Sequence, residues 1–501
     1  MKIQNPIIRG FYPDPSICKA NGIYYIACSS FQYFPAVPLF ESTDLIYWKQ
    51  IGHCLTRKSQ VQLHEVPNSG GIFAPTLRYY EGFFYLVVNN NTDSKNFYVF
   101  TDNIYGEWSE PIFVEQKGID PSLFFDEGNV YFTSNGEDEK GNPCILQCKI
   151  DIKTGKKLTK TVPIWSGSGG RYLESPHIYH KGDWYYLMAA EGGTEYGHMI
   201  TYARSKNVFG PYEGYQKNPV LTNRNLGGNQ SCIQGIGHGD LIEGPDGNDY
   251  IVCLGFRQSS MWQPYHHLGR EVFLKQIEWQ ADGWFSAKGS STVCEWEEVA
   301  FDGNLQKEDQ YDLTFDSSIS TNPRWTYLRD YKKENYRFWE KELSLCGTEV
   351  TLNDRDSPTF IGVRQSEFFT HLSVEINGEA MEAGVTFYMD EDHHYDLFLS
   401  RENKEKWVIL RIHIGDAEQI IMRFALEQEE NAILEVISDK EKYQFYVRYK
   451  KKLHYLGKAR TKYLSSEVAG GFTGVFMGLY AVDFHNKWSN FSNLRWIQRQ
   501  Q

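Results

Sequence analysis

A short pattern recurs five times in the first half of this chain and constrains its fold more than any other feature. In the first three copies a Gly lies seven residues after a Pro, and in the fourth copy six residues after it. This spacing predicts a strand, a tight turn at the Gly and a second, aromatic-rich strand. The copies begin at Asp14-Pro15-Ser16, Ala74-Pro75-Thr76, Asp120-Pro121-Ser122, Glu174-Ser175-Pro176 and, more weakly, His238-Gly239-Asp240.

The rest of each repeat predicts two further strands. After copies one, two and four, a turn opened by Asp or Asn leads to an aromatic residue and another extended segment. Repeats of short strands with this period are typical of blades arranged around an axis. We therefore predict five blades in residues 1–300, a polar linker at 301–312, and a second all-β domain at 313–501. Strand-like alternation without helices makes an antiparallel sandwich the simplest form of that domain.

Acidic side chains occupy matching points of three copies. Because equivalent positions of a radial repeat face one centre, we expect Asp14, Asp120 and Glu174 to meet at a single site. One Asp before a Pro is usually a turn residue, but three at equivalent points favour a shared function. Converging carboxylates raise one another's pKa, so one stays protonated while another is ionised. Glycosidic bond cleavage needs both states.

Two basic side chains are expected beside these acids. His238 begins the fifth copy and should point inward, more readily as a neutral hydrogen-bonding residue than as a metal ligand. Arg270 precedes a strand, where it could bind sugar hydroxyls or hold an acid in its ionised form. A salt bridge with Glu271 or a surface position are the alternatives for Arg270.

Composition excludes several classes of partner. The net charge of −13 argues against nucleic acid and anionic membranes, which both need a basic face. Nine scattered Cys, several within apolar strand patterns, indicate buried thiols in a reducing compartment. The chain shows no apolar leader segment at its start and no run of 18 apolar residues. We therefore expect a cytoplasmic protein.

Eight stretches of the chain, taken together and in order, carry a resemblance to a known family. They are Gly10–Ser16, Ser29–Pro35, Ala74–Tyr79, Gly118–Phe124, Gly170–Tyr179, Ala190–Thr194, His267–Glu271 and Gly470–Gly474. With these motifs the chain resembles glycoside hydrolase family 43, in particular its two-domain β-xylosidases. The resemblance implies a five-bladed β-propeller followed by a concanavalin-like β-sandwich, and hydrolysis with inversion.

The resemblance also assigns roles to the acids. Asp14 would be the general base that activates water, and Glu174 the general acid. Asp120 would tune the pKa of Glu174 and orient it. In inverting enzymes the acid and base lie about 6.5–9.5 Å apart, which leaves room for the water.

The same motifs imply the sugar contacts. Arg270 would contact the sugar, Phe31 and Phe73 would line the walls, and Phe472 of the sandwich would narrow the mouth. Such a pocket would make the enzyme exo-acting. His238 stands where members of the family have a central His that can support a calcium ion through waters, although no cofactor is expected to be required.

Four departures from the family pattern affect the choice of sugar. Phe73 stands where Trp is usual, Ser175 where Gly is usual, and Gly239 where Ala is common; the loop at 258–265 also differs. The expected reaction releases xylose from non-reducing ends of β-1,4-xylo-oligosaccharides. An α-L-arabinofuranosidase, or an enzyme with both activities, is the close alternative. A non-catalytic carbohydrate-binding propeller would be expected to lack one of the acids. Each of these candidate functions is compatible with a homo-oligomer.

Overall fold

The computed structural model describes residues 1–226, 230–260, 262, 264–303, 312–315, 319–402, 405–427 and 431–499. It confirms the predicted five-bladed propeller, in which each blade is a four-stranded antiparallel sheet built from one continuous stretch of chain. The blades are numbered in chain order. Their strands are Ser16–Ala20, Ile23–Ala27, Ala36–Ser42 and Lys49–Leu55 in blade 1, Thr76–Tyr80, Phe83–Asn90, Lys95–Thr101 and Ile112–Val114 in blade 2, Ser122–Asp126, Asn129–Glu137, Pro143–Ile150 and Val162–Trp165 in blade 3, Glu174–Lys181, Trp184–Glu191, Met199–Ser205 and Glu213–Gly214 in blade 4, and Ile233–Glu243, Asp249–Arg257, Glu271–Trp279 and Phe285–Ala287 in blade 5.

The first hairpin of blade 1 shows why Gly recurs in the repeat. Asn21 and Gly22 have φ values of 51° and 81°. Two successive residues with positive φ make a type I′ turn, whose twist matches that of the flanking strands. The fifth copy differs from the prediction, since its strand begins at Ile233 and not at His238. His238 lies within that strand, where the register shifts between Gly237 and Gly239.

The start of the chain closes the propeller ring. Lys2–Gln4 pairs antiparallel with Trp296–Glu298, which follows blade 5. The backbone N–H of Ile7 donates to the Val272 carbonyl oxygen at 2.8 Å. The first blade is thereby held against the last, and Asp14 is brought close to residues of blade 5.

The second domain is a sandwich of two antiparallel sheets, as predicted. One short α-helix, Ser466–Ala469, and the 3₁₀ turns Ile319–Thr321, Lys333–Asn335 and Thr461–Leu464 accompany the sheets. The first sheet contains, in spatial order, Tyr336–Phe338, Glu342–Cys346, Trp488–Arg499, Phe369–Gly378, Ala432–Ser438, Lys442–Tyr449 and Lys452–Arg460, with Leu313–Thr314 also paired to Trp488–Arg499; the second contains Thr359–Arg364, Phe476–Val482, Glu382–Asp390, His393–Glu402, Glu405–Ile414 and Ala417–Leu426.

An aromatic interface joins the two domains. Tyr33–Phe34 of blade 1 pairs with Tyr327–Leu328, which lies ahead of the sandwich sheets. The ring of Tyr33 stacks on Phe476 with 3.9 Å between centroids. Stacked and edge-on aromatic pairs add to the stabilisation from apolar burial. The interface therefore packs the sandwich against the side of the propeller.

Two sequence predictions fall partly outside the described residues. Within the predicted linker, 304–311 are not among them, and neither are Met261 and Gln263 of the loop that departs from the family pattern. In the described part of the chain, no helix has the length and apolar character needed to cross a membrane. All nine Cys lie in that part, where none forms a disulfide and seven are buried.

Candidate active site

A cavity of about 330 Å³ opens where the inner strands of the propeller begin, and the sandwich covers one side of it. All eight side chains that the sequence predicted for the site line this cavity. They are Asp14, Phe31, Phe73, Asp120, Glu174, His238, Arg270 and Phe472.

The repeat places its acids through a shared backbone conformation. Asp14 and Asp120 precede a Pro and have φ values of 55° and 51°. In copy four the corresponding residue is Ser175, with a φ of 56°, and Glu174 lies one residue earlier. His238 has a φ of 44°. Positive φ is uncommon outside Gly, and strained conformations of this kind cluster at functional sites.

Asp14 is buried among groups that favour its ionised form. Its Oδ1 accepts a hydrogen bond from Arg270 Nη1 at 2.9 Å, and its Oδ2 accepts one from Ser29 Oγ at 2.5 Å. His238 Nδ1 lies 3.6 Å from Oδ1. Burial alone would raise the pKa of Asp14, but Arg270, His238 and Ser29 together hold it below its usual range. Asp14 is therefore a carboxylate at neutral pH.

Glu174 and Asp120 are shifted in the opposite direction. Burial and the negative charge of Asp14 raise the pKa of Glu174 to about 7. Burial and the charges of Glu174 and Asp14 also raise the pKa of Asp120. The backbone N–H of Ser175, next to Glu174, donates to Asp120 Oδ2 at 3.1 Å. Neighbouring carboxyls that resist joint ionisation keep a proton near neutral pH.

Arg270 is buried within the cavity wall and connects three parts of the molecule. Besides Asp14, its Nη1 donates to Thr194 Oγ1 of blade 4 at 2.7 Å. Its Nη2 lies 3.4 Å from the carbonyl oxygen of Phe472, in the sandwich. The salt bridge with Glu271, an alternative in the sequence reading, is not formed, because Glu271 pairs with Arg257 at 2.7 Å.

Three Phe rings make an apolar part of the cavity wall. The centroids of Phe31 and Phe73 are 5.2 Å apart, and those of Phe31 and Phe472 are 6.1 Å apart. Phe472 is 40% exposed, so its ring faces the mouth of the cavity. A wall that combines polar groups with aromatic faces suits a sugar ring, which presents hydroxyl edges and apolar faces.

The cavity also contains residues that the sequence reading did not assign to the site. His198 is buried, and its Nδ1 lies 3.0 Å from the Gly235 carbonyl oxygen. Burial lowers its pKa to about 3, so it is a neutral hydrogen-bonding group. The others are Ala74, Ile119, Arg171, Tyr172, Gly193, Thr194 and Glu195. Several of these lie in or next to the matched stretches Gly170–Tyr179 and Ala190–Thr194, which was the only sequence signal for them.

Glu191 supports the segment that leads to Glu174. It is fully buried, and its carboxylate accepts hydrogen bonds from the backbone N–H groups of Ser168 at 2.6 Å and Gly170 at 2.5 Å. Thr201 Oγ1 also donates to it, at 2.9 Å. Glu191 therefore fixes the loop before Glu174 and does not face the cavity.

The surroundings of His238 offer few ligands to a calcium ion. Among the described residues, no group of three or more His, Cys, Asp or Glu side chains could hold a metal. Calcium normally takes six to eight oxygen ligands. The nearby carboxylate of Asp240 is already engaged, since Arg78 Nη1 pairs with it at 2.7 Å. A directly ligated ion does not fit these residues, so a calcium ion here would depend on water ligands.

Comparison with known proteins identifies the family. Residues 3–285 match the model described as glycosyl hydrolases family 43. The chain belongs to this family. Residues 313–498 match the β-xylosidase C-terminal concanavalin A-like domain. The expected enzyme class is thereby confirmed, and this member of family 43 is a glycoside hydrolase.

Several relatives align over both domains. A non-reducing end α-L-arabinofuranosidase of Bacteroides ovatus is 37% identical and aligns over 99% of this chain and 94% of its own. A β-xylosidase of Bacillus subtilis is 31% identical over 96% and 97%. The crystal structure of a xylan β-1,4-xylosidase from Bacillus halodurans superposes with a TM-score of 0.90 at 28% identity, covering 99% of this chain and all of that one.

Proposed function

We propose that this family 43 member is an exo-acting, inverting hydrolase that releases xylose from the non-reducing ends of β-1,4-xylo-oligosaccharides. The observation that carries the proposal is the opposite proton affinity of two acids in one cavity. Asp14 is held ionised by Arg270 and Ser29, whereas the pKa of Glu174 is raised to about 7. One acid and one base at neutral pH are what single-step inversion requires.

The reaction then follows from these two states. Asp14 accepts a proton from a water molecule as the water oxygen bonds to the anomeric carbon. Glu174 gives its proton to the glycosidic oxygen as the bond from that oxygen to the anomeric carbon breaks. The products are a sugar with inverted configuration and a shortened oligosaccharide. Asp120, which accepts a hydrogen bond from the backbone next to Glu174, orients the acid and keeps it protonated.

Phe472 supports the exo mode of action. Its ring lies against Phe31 at the mouth of the cavity and leaves a space of about 330 Å³. A pocket closed on one side admits the end of a chain and not its middle. Apolar rings beside hydroxyl-binding groups are typical of small-ligand sites.

An α-L-arabinofuranosidase is the second candidate. The observation that favours it is the name of the 37% identical Bacteroides ovatus relative, an α-L-arabinofuranosidase. Other full-length relatives are named for both activities, among them the xylosidase/arabinosidase of Butyrivibrio fibrisolvens at 32% identity. We propose that the two pentoses compete for one pocket, since they present similar hydroxyl edges.

The test is kcat/KM for 4-nitrophenyl β-D-xylopyranoside against the α-L-arabinofuranoside, together with proton NMR of the first anomer formed. A higher value for the xyloside and an inverted anomer are expected. Preference for the arabinofuranoside would select the second candidate, and a retained configuration would exclude Asp14 as a base.

Three further proposals concern the surroundings of the enzyme. We propose that catalysis needs no cofactor and that a calcium ion near His238, if bound, acts on structure; a chelator should then change thermal stability before it changes kcat. The cytoplasmic location proposed from the Cys pattern predicts full activity in thiol-reducing buffer. Analytical ultracentrifugation of the purified protein would test whether it forms a homo-oligomer.

A further inference from the structure

One carboxylate of the sandwich receives several hydrogen bonds from the propeller beside the active site. Glu467 lies in the short helix Ser466–Ala469, five residues before Phe472. Its Oε1 accepts a hydrogen bond from His266 Nδ1 at 2.6 Å and lies 2.7 Å from Tyr196 OH, whose single proton it shares with the Pro264 carbonyl oxygen, also at 2.7 Å. Its Oε2 accepts the backbone N–H of His266 at 3.0 Å. Charged acceptors make the stronger hydrogen bonds of a protein.

Aromatic packing fixes the donors on the propeller side. The ring of His266 stacks on Phe256 with 3.9 Å between centroids, and Tyr196 meets Phe256 edge-on at 5.2 Å. Gln258 Nε2 also donates to the hydroxyl of Tyr196, at 2.8 Å. Burial would raise the pKa of Glu467, but the bonds from His266 lower it, so the carboxylate is ionised at neutral pH.

Tyr196 belongs to the same loop as four residues that line the cavity, Gly193, Thr194, Glu195 and His198. Thr194 accepts the hydrogen bond from Arg270 Nη1, and Glu195 lines the cavity 3.6 Å from Arg171. The two ends of the loop approach each other closely, since a Cβ on Gly192 would lie 1.9 Å from the Gly197 carbonyl oxygen. Anchoring Tyr196 therefore restrains the tip of a short, closed loop.

We infer that Glu467 is a positioning residue, which holds the loop at 192–198 and thereby sets the Arg270 guanidinium against the sugar. The inference rests on the proposed function, because it concerns the same pocket. Glu467 does not line the cavity, so its effect reaches the sugar through Tyr196, Thr194 and Arg270. Pre-organised groups bind more tightly, since less freedom is lost on binding.

The experiment compares Glu467→Gln with a control at the same domain interface. Glu367 of the sandwich accepts hydrogen bonds from the propeller residues Arg9 and Arg257, at 2.7 and 3.1 Å, and has no bond to the loop. Glu467→Gln should raise KM about fivefold, as expected for one lost hydrogen bond, and change kcat less. It should also speed amide hydrogen exchange in residues 192–198. Glu367→Gln should lower thermal stability without either effect.

Tyr196→Phe gives an independent variant. It should raise KM in the same way, and combining it with Glu467→Gln should add little, because both act on one anchor. The inference would be overturned if the Glu467→Gln and Glu367→Gln proteins had the same KM and the same rate of amide hydrogen exchange in residues 192–198. A wild-type chain inactive on both pentosides would count against the proposed function, and the exchange comparison would still decide the role of Glu467.

Discussion

The cavity has two acidic corners, one formed by Asp14 of blade 1 and the other by Asp120 and Glu174 of blades 3 and 4. Their carboxyl groups come from equivalent points of one repeat, yet they differ in their affinity for protons. At the blade 1 corner, Arg270 and Ser29 donate to Asp14 and lower its pKa. At the blade 3 and 4 corner, no Lys, Arg or His of the described residues forms an ion pair with Glu174, whose pKa rises to about 7. Asp14 and Asp120 are buried, and Glu174 is partly buried. Arg270, His238 and Ser29 lower the pKa of Asp14, whereas burial and the charge of Asp14 raise that of Glu174, and this separates base from acid.

Replacing the base tests the first corner and should have the largest effect. Asp14→Asn removes the group that takes the proton from water, so kcat/KM should fall about 10⁴-fold. The loss should be equal for a 4-nitrophenyl glycoside and for xylobiose, because neither leaving group changes the need to activate water. Steady-state rates on both substrates check this, and a loss confined to one substrate would contradict the role.

Replacing the acid should separate the two substrates. Glu174→Gln should lower kcat/KM about 10³-fold for xylobiose, whose leaving oxygen needs a proton. The 4-nitrophenyl glycoside should lose much less, since nitrophenolate leaves without protonation. The ratio of the two losses is the measurement. Equal losses would show that Glu174 does not protonate the leaving group.

Asp120→Asn should change the pH dependence of kcat/KM. Activity requires ionised Asp14 and protonated Glu174, so wild-type kcat/KM should fall as pH rises through about 7 and as pH falls through the lowered pKa of Asp14. Asn cannot ionise beside Glu174, so Glu174 loses its proton more easily and the basic limb should move to lower pH. We expect a loss of about 10- to 100-fold at pH 7. An unmoved basic limb, measured as kcat/KM against pH, would argue that Asp120 does not tune the acid.

Phe472→Ala should have the smallest effect, because it leaves both corners intact. Removing a partly exposed aromatic wall should raise KM about tenfold with little change in kcat. Phe113→Ala is a matched control, since Phe113 is a similarly exposed ring on blade 2 that does not line the cavity. An unchanged KM in Phe472→Ala would remove the sandwich from the sugar site.

The propeller could be predicted from the sequence because each blade forms from residues that are close together along the chain. Every four-stranded sheet of the propeller forms within one stretch of chain, so the spacing from Pro to Gly reports it directly. The sequence could not place His198 or Glu195, which have no counterpart in the repeat. It also placed the start of the fifth inner strand at His238, whereas a bulge lets that strand run from Ile233.

The sequence by itself determined five blades and the acids at three matching points, and the family resemblance added the apolar wall. The number of blades and the positions of the acids follow from local turn chemistry and residue type, which depend only on neighbouring residues in the sequence. The family resemblance had named Asp14 as base and Glu174 as acid, but only the tertiary structure gave the physical reason, because Arg270 is 256 residues from Asp14 in sequence and 2.9 Å from it in space. Electrostatic shifts depend on distance in space. The same holds for Glu467, which meets Tyr196 only after the two domains have packed together.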